Sequence, residues 1–339
     1  MVQIVLPFHC GGLLTSPLVS MATWKVDELC GLRVVYRDSK EGFNGKLEAF
    51  KAAGKKKLQV ISDFDFTLSR YFQKDGESRS SSCHMVLERY KGLPSNYQTK
   101  AQALQEHYHP IEMDMSLPKE EKYQHMARWA NSANGLLKEG GLTKDILKDA
   151  VTEAMNSGRF SGRDGLKDLI ELLIENQIPL LLFSAGIANV LEHCILRTLH
   201  PDAGENELER MNLTTLYDKV NVISNRALWD ENGNLVEFSQ PVLHVLNKSC
   251  TDFIETNPHF KLAADCTKLF LFGDSLGDLK MSIGLDHLQK EDILRIGFLN
   301  AKEYEDLLPI YLAEDAYDLV ILDDPSVAVQ QHLIQTVLD

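Results

Sequence analysis

The stretch Leu58-Gln-Val-Ile-Ser-Asp63-Phe-Asp65-Phe-Thr67-Leu-Ser69 decides the fold. Residues 58–62 form a short, mainly apolar run that leads directly into two carboxylates spaced two positions apart. A run of this kind, ending in polar residues, has the look of a parallel strand covered on both faces. If the strand persists through Asp65, its period of two puts both carboxylates on one side. Like charges that close are costly unless a cation or a proton intervenes. Taken alone, Asp-x-Asp is common and reads equally well as a solvated turn.

Four further runs have the same character: 179–183, 220–224, 268–272 and 294–299. Helical stripes lie between several of them. Leu166, Leu169, Ile170, Leu173 and Ile174 share one stripe, and Ile187, Val190, Leu191 and Cys194 share another. Alternating strands and helices imply an α/β sheet with right-handed crossovers. Between about 71 and 160 the strand signal vanishes, and segments 99–107, 119–137 and 143–155 read as helices. Thr143 is the expected N-cap of the last, with Asp145 in its first turn. The expected architecture is a parallel-sheet core built from 51–70 and 161–339. A helical cap, 71–160, is inserted after the first core strand, over the sheet's carboxyl edge where open α/β sheets bind ligands. Residues 1–50 read as an N-terminal extension, partly flexible. The polar stretch 73–82 reads as a mobile loop and a candidate hinge.

Two other strand exits carry polar groups that do not look like packing. Phe183-Ser184-Ala185-Gly186 is expected to open a helix, where a hydroxyl and backbone N–H groups make an anion site. A plain N-cap serine is the simpler reading, and the Gly-x-Ser-x-Gly elbow of a serine nucleophile is absent. Phe272-Gly273-Asp274-Ser275-Leu276-Gly277-Asp278 offers two more carboxylates, with glycines expected to make a tight turn. Two such carboxylates beside an anion site suggest a hard cation such as Mg²⁺. Four acidic groups would repel a phosphate, and Lys248 is the candidate for the missing positive charge. By position alone it could equally be a solvated surface lysine.

Composition narrows the class. The chain has 339 residues, 44% hydrophobic and 25% charged, which excludes a disordered or collagenous polymer. Thirty-five basic residues against 49 acidic ones give a net charge of −14, a field that opposes polymeric nucleic acid. No stretch is long and apolar enough for a membrane span. Residues 1–22 lack a basic or Arg-rich targeting pattern. The six cysteines are scattered without a Cys-x-x-Cys pair and read as reduced thiols in a cytoplasmic setting. Cys83, His84, His107 and His109 do not have the spacing of a zinc site. No exposed apolar heptad stands out, so the chain is expected to be a monomer.

The combination of Ser62-Asp63-Phe64-Asp65-Phe66-Thr67-Leu68-Ser69-Arg70, Phe183-Ser184-Ala185-Gly186-Ile187, His244-Val245-Leu246-Asn247-Lys248 and Gly273-Asp274-Ser275-Leu276-Gly277-Asp278 resembles the haloacid dehalogenase-like phosphohydrolases. More closely, it resembles the cytosolic pyrimidine 5′-nucleotidase family, type III. Cys83-His84 and Ile111-Glu112 also fit that pattern, and the resemblance runs from about Leu58 to the C-terminus. It implies a Rossmann-like core and a Mg²⁺-dependent hydrolysis of nucleoside 5′-monophosphates. Asp63 takes the nucleophile position and Asp65 the general acid/base position. Mg²⁺ is expected on Asp63, the backbone carbonyl of Asp65, and Asp274, with Asp278 behind them. Ser184, the N–H of Ala185 and Lys248 are expected to grip phosphate oxygens, and Thr67 to support the Asp63 loop. Glu112 matches the base-recognising carboxylate. His84 fits either a place near the nucleotide or a packing role. Ala133 stands where the family often has a hydroxyl, which leaves pyrimidine and 7-methylguanine bases both open. Transfer of phosphate to a nucleoside, hydrolysis of another phosphomonoester by the same superfamily chemistry, or nucleotide binding without catalysis are the competing functions.

Overall fold

The structure is a computed structural model describing residues 24–339 except 115, 302, 303 and 324. The segment 1–22, including Cys10, therefore lies outside the described residues. In chain order the elements are β1 (Asp27–Leu29), β2 (Leu32–Tyr36), α1 (Lys40–Ala53), β3 (Leu58–Ser62), α2 (Cys83–Glu88), α3 (Ser95–Met113), α4 (Lys119–Glu139), α5 (Lys144–Asn156), α6 (Leu166–Glu175), β4 (Leu180–Ile187) and α7 (Ala188–Leu199). Then come α8 (Glu205–Leu208), α9 (Leu213–Leu216), β5 (Val220–Asn225), β6 (Ala227–Trp229), β7 (Leu235–Phe238), α10 (Pro258–Leu262), β8 (Lys268–Gly273), β9 (Ile293–Phe298), α11 (Leu308–Tyr311), β10 (Leu319–Ile321) and α12 (Ala328–Leu338).

An eight-stranded sheet in the order β1-β2-β10-β9-β8-β3-β4-β5 forms the core. It is parallel from β10 to β5, and β1 and β2 run antiparallel at one edge. All five strands read from the sequence are present. Successive residues alternate between faces. Leu180 and Leu182 enter one buried cluster and Leu181 and Phe183 another, and Phe270 and Leu271 divide in the same way. Both faces are thus covered, which is why these runs are apolar throughout instead of alternating. The chain leaves β3 for β4 and β5 on one side, and later fills β8, β9 and β10 on the other. The carboxyl end of β3 is therefore the switch point of the topology.

The insertion is helical, as expected. Helices α2–α5 occupy 83–156, and Thr143 caps α5 by accepting a hydrogen bond from the Ile146 amide. Helices α3 and α4 pack with Tyr108 and Trp129 stacked at 5.9 Å and 13°. The β6–β7 hairpin, which the sequence reading missed, joins the cap to the core. Leu235 N donates to Leu142 O and Lys144 N to Gly233 O. At its other end, Arg226 forks onto Glu192 of α7 at 2.6 and 2.8 Å.

Two expectations are corrected. Residues 27–53 are not an extension. Strand β2 pairs with β10, and α1 packs against α12: Val34, Phe43, Leu47 and Phe50 join the main core on one face of the sheet, and Val35 is buried on the other. The stretch 73–82 is also more tied down than its polarity suggests. Gln73 N donates to Ser78 O and Ser80 N to Tyr71 O, Ser80 and Ser81 are buried, and the Arg79 guanidinium lies 4.4 Å from the Tyr71 ring centroid. Among the described residues Cys30, Cys83, Cys194, Cys250 and Cys266 are free thiols, and no helix is long and apolar enough to cross a membrane.

Phe50 is fully buried and lies 5.1 Å from the Phe270 ring. Phe50→Ala is expected to lower the unfolding free energy by about 3–5 kcal/mol in urea titrations. A change well under about 1 kcal/mol would mean that this segment is merely appended.

Candidate active site

Strand pairing assembles the site. Strands β4, β3 and β8 are neighbours in register, with Ser62 opposite both Leu182 and Phe272. The residues that follow, Asp63 and Asp65, Ser184 and Ala185, and Asp274, therefore emerge side by side at one edge. Asp63 N still donates to Phe272 O at 2.9 Å, so the ladder extends to the first carboxylate.

Lys248 reaches this edge from the loop after β7. Its ammonium lies 2.5 Å from Asp63 Oδ1 and 2.7 Å from Asp278 Oδ1, and all three side chains are buried. The surface-lysine reading is thereby set aside. Thr67 Oγ1 donates to the other Asp63 oxygen at 3.2 Å. Asp278 is saturated: its second oxygen accepts from Asp274 N, Ser275 N and Ser275 Oγ at 3.1, 2.9 and 2.9 Å. It holds the turn that carries Asp274, whose own carboxylate takes a long hydrogen bond from Asn300 at 3.3 Å.

The electrostatics follow from crowding. Burial raises the Asp63 pKa to about 7, with Asp278 and Asp65 adding to the rise and Lys248 opposing it. Burial also lifts Asp274 well above the carboxylate range, and the charges of Asp278 and Asp63 push the same way. Burial opposes the Lys248 charge, yet Asp278 and Asp63 outweigh it and the pKa is raised. Oxygen atoms of Asp63, Asp274 and Asp278 all fall within 4.8 Å of one another. Three carboxylates against one ammonium leave negative charge to be neutralised, and the donors are all oxygen. The set fits a hard divalent cation such as Mg²⁺. The cysteines and histidines weighed for zinc form no such cluster among the described residues.

Asp65 faces the cap. Its Oδ1 accepts from Cys83 N at the start of α2 at 2.9 Å, and burial raises its pKa. Ser184 is fully buried, and its Oγ accepts from Gly186 N at 3.0 Å. It is not an N-cap, because β4 continues to Ile187 and α7 begins at Ala188. Gly273 likewise makes no left-handed turn. It lies within β8 beside Gly297 of β9, and the pair leaves a slot for Tyr317. A Cβ at Gly273 would come within 2.7 Å of Tyr317 Oη, and one at Gly297 within 2.6 Å of its ring. Tyr317 Oη donates to Ser275 O at 2.6 Å.

Glu112 sits in the last turn of α3, a quarter exposed, with His109 Nδ1 at 3.3 Å. Among the described residues no hydrogen bond or ion pair joins it to the core carboxylates. His84 lies two residues from the Ser82 cap of α2, where burial lowers its pKa.

The comparisons bear on this geometry. Residues 66–338 match the family of pyrimidine 5′-nucleotidase (UMPH-1). The chain belongs to that family. It is 34% identical over 303 residues to 7-methylguanosine phosphate-specific 5′-nucleotidase B of Xenopus laevis, covering 88% of this chain and 93% of the relative. The human 7-methylguanosine phosphate-specific 5′-nucleotidase is 33% identical, with 86% and 88% covered. Among solved structures, cytosolic 5′-nucleotidase IIIB bound to cytidine superposes with a TM-score of 0.73 at 25% identity, covering 90% of this chain and 93% of that one. Family membership and the mostly parallel sheet make the protein a phosphomonoester hydrolase of the haloacid dehalogenase-like superfamily.

Three residues that brace this edge escaped the sequence reading. Asn225, 1% exposed, donates to Ala185 O at 2.8 Å and to Leu243 O at 3.0 Å, and accepts from Leu243 N at 2.8 Å. It clamps the Ser184–Ala185 segment to the loop that leads to Lys248. Arg163 and Asn300 support the Asp65–Ser69 turn from behind. Asn225 and Asn300 share one signal with the residues that were found: each is a polar residue at, or just beyond, the exit of a parallel strand.

Two outcomes check this geometry. Lys248→Met leaves Asp63 and Asp278 buried without their cation, and unfolding without divalent metal is expected to fall by about 3–5 kcal/mol. A Cβ at Gly186 would lie 2.7 Å from Asp65 Oδ2 and 2.9 Å from Cys83 Cβ. Gly186→Ala is therefore expected to displace Asp65 and cut kcat about 10²-fold in a phosphate-release assay.

Proposed function

We propose that this protein hydrolyses nucleoside 5′-monophosphates to nucleoside and phosphate, with Asp63 as nucleophile and Asp65 as general acid and base. The observation that carries the proposal is the buried Lys248 clamp on Asp63 and Asp278. It keeps one carboxylate oxygen fixed at a switch point whose remaining groups suit phosphate oxygens.

In the first step Asp63 attacks phosphorus and the P–O5′ bond breaks. Asp65 gives its proton to the leaving 5′-oxygen, a role suited to a carboxyl whose pKa burial has raised. The phosphoryl group is then held on Asp63 as an acyl phosphate. In the second step Asp65 takes a proton from water, the water oxygen attacks phosphorus, and the bond to Asp63 breaks. The Ser184 hydroxyl, the Ala185 N–H and the Lys248 ammonium bind the non-bridging oxygens. Asn225 fixes the Ala185 peptide from its carbonyl side. Asp63, the carbonyl of Asp65 and Asp274 would hold Mg²⁺, with Asp278 acting through the turn and Lys248. The ion supplies the positive charge that lets an anionic nucleophile meet an anionic phosphate.

The cap closes over this edge, excludes water and presents Glu112 to the base. A carboxylate accepts hydrogen bonds, which suits the amino group of cytosine or the N–H edge of 7-methylguanine. Cytidine in one structural relative and 7-methylguanosine phosphate in the names of others support both substrates. Ala133 adds no hydrogen bond of its own, so the choice between the two rests more heavily on Glu112. A relative named cytosolic supports the cytosol as the place of action.

Phosphate release is to be measured from CMP, UMP, 7-methyl-GMP, AMP and a non-nucleotide monoester, with Mg²⁺ and with chelator. CMP or 7-methyl-GMP is expected to be cleaved only with Mg²⁺, Asp63→Asn to be inactive, and Asp65→Asn to lose about 10²–10⁴-fold. Cleavage of the simple monoester alone would sink the nucleotidase assignment and leave the superfamily chemistry standing.

A further inference from the structure

We propose that Asn300, held by Arg163, is a positioning residue that sets the separation of the two acidic loops at the site. The inference rests on the reading of Asp63 and Asp274 as cation ligands. Asn300 follows β9, two positions beyond Phe298. Its side-chain amide bridges elements far apart in sequence: Nδ2 donates to Phe66 O at 2.9 Å and to Asp274 Oδ2 at 3.3 Å. Its Oδ1 accepts from Arg163 Nη2 at 3.0 Å, which fixes which way the amide faces.

The Phe66 end of this bridge is a strained turn. Phe66 has φ of 63°, in the left-handed region that a bulky residue rarely enters. Such a conformation persists only where its surroundings over-determine it. Here Phe66 O takes both Arg163 Nη2 at 2.6 Å and Asn300, and Phe66 N donates to Ser69 Oγ at 2.9 Å. Arg163 Nε also holds Thr67 O at 2.9 Å, on the residue whose hydroxyl reaches Asp63. The guanidinium is 2% exposed and lies 3.6 Å from the Phe298 ring centroid, so it has little freedom to move. One rigid group therefore grips the turn after Asp63 and Asp65, and through Asn300 it reaches the carboxylate of Asp274.

A packing role would change stability and leave cation uptake alone, so the test reads both. Mg²⁺ binding to the full chain is to be measured by calorimetry without substrate, alongside metal-free thermal unfolding and kinetics on the best phosphomonoester. Asn300→Leu keeps the volume and removes all three side-chain hydrogen bonds. It is expected to weaken Mg²⁺ binding and lower kcat, each by about 10–100-fold, with KM within about threefold. Asn300→Ala, which removes the amide without adding a charge, is expected to do the same and replaces the leucine variant should that fail to fold. Parent-like Mg²⁺ affinity in a folded variant overturns this inference alone. A parent chain that takes up no Mg²⁺ overturns the cation reading and the inference with it.

Discussion

One ammonium between two buried carboxylates is the constraint around which the rest is arranged. Asp63 and Asp278 come from loops after different strands, and Lys248 arrives from a third segment. Burying that many charges is unfavourable unless each is paired and hydrogen-bonded. The pairing is met by fixing all three loops at once. Asp278 uses its second oxygen to fasten the turn at Asp274 and Ser275, and Thr67 occupies the second oxygen of Asp63. The Lys248 loop in turn is locked by asparagine amides, Asn247 to Val242 O and His244 N, and Asn225 to Leu243. The result is a set of charges whose positions are decided before any ligand arrives, the condition for electrostatic catalysis without reorganisation.

The cap is moored to this frame at more than its two linkers. The hairpin β6–β7 pairs with the start of α5 on one side and leans on α7 on the other. Tyr123 of α4 meets the His244 ring edge-on at 4.7 Å, and His244 belongs to the loop that ends in Lys248. Helix α4 and the loop that ends in Lys248 are thus in direct contact. The helical insertion and the loop that carries the buried ammonium belong to one mechanical unit.

Much of this was legible in the sequence. The five central strands are apolar because both their faces are covered, and the polar residues at their exits point to chemistry because nothing in the packing asks for them. Strands β1, β2 and β10 escaped because each has at most five residues and lies toward the sheet's antiparallel edge. The hairpin was hidden by its mixed surface: Leu228 and Val236 look outward, and only Ala227, Leu235 and Phe238 reach the core, too few to stand out as a strand pattern. Arg163 was unreadable for a different reason. Its partners include the main-chain carbonyls of Phe66 and Thr67 about a hundred positions earlier, and a carbonyl leaves no mark on the sequence. The glycine of Gly273-Asp274 was noticed but misread as a turn former, because what demands it is the close approach of two side chains, Asp278 in the same loop and Tyr317 more than forty residues downstream.

That last contact limits how the sequence can drift. Positions 273, 297 and 317 share one volume, with two glycines on adjacent strands admitting a single tyrosine. Neither glycine can gain a side chain while the tyrosine stays. A smaller residue at 317 would in turn open a void and release the Ser275 carbonyl. Replacement at 297 must therefore proceed ring first and glycine after, through an intermediate that is poorly packed next to Asp274. Position 273 is held more tightly, because a Cβ there would still lie 2.6 Å from Asp278 Cβ once the ring was gone, so its glycine outlasts any exchange of the other two.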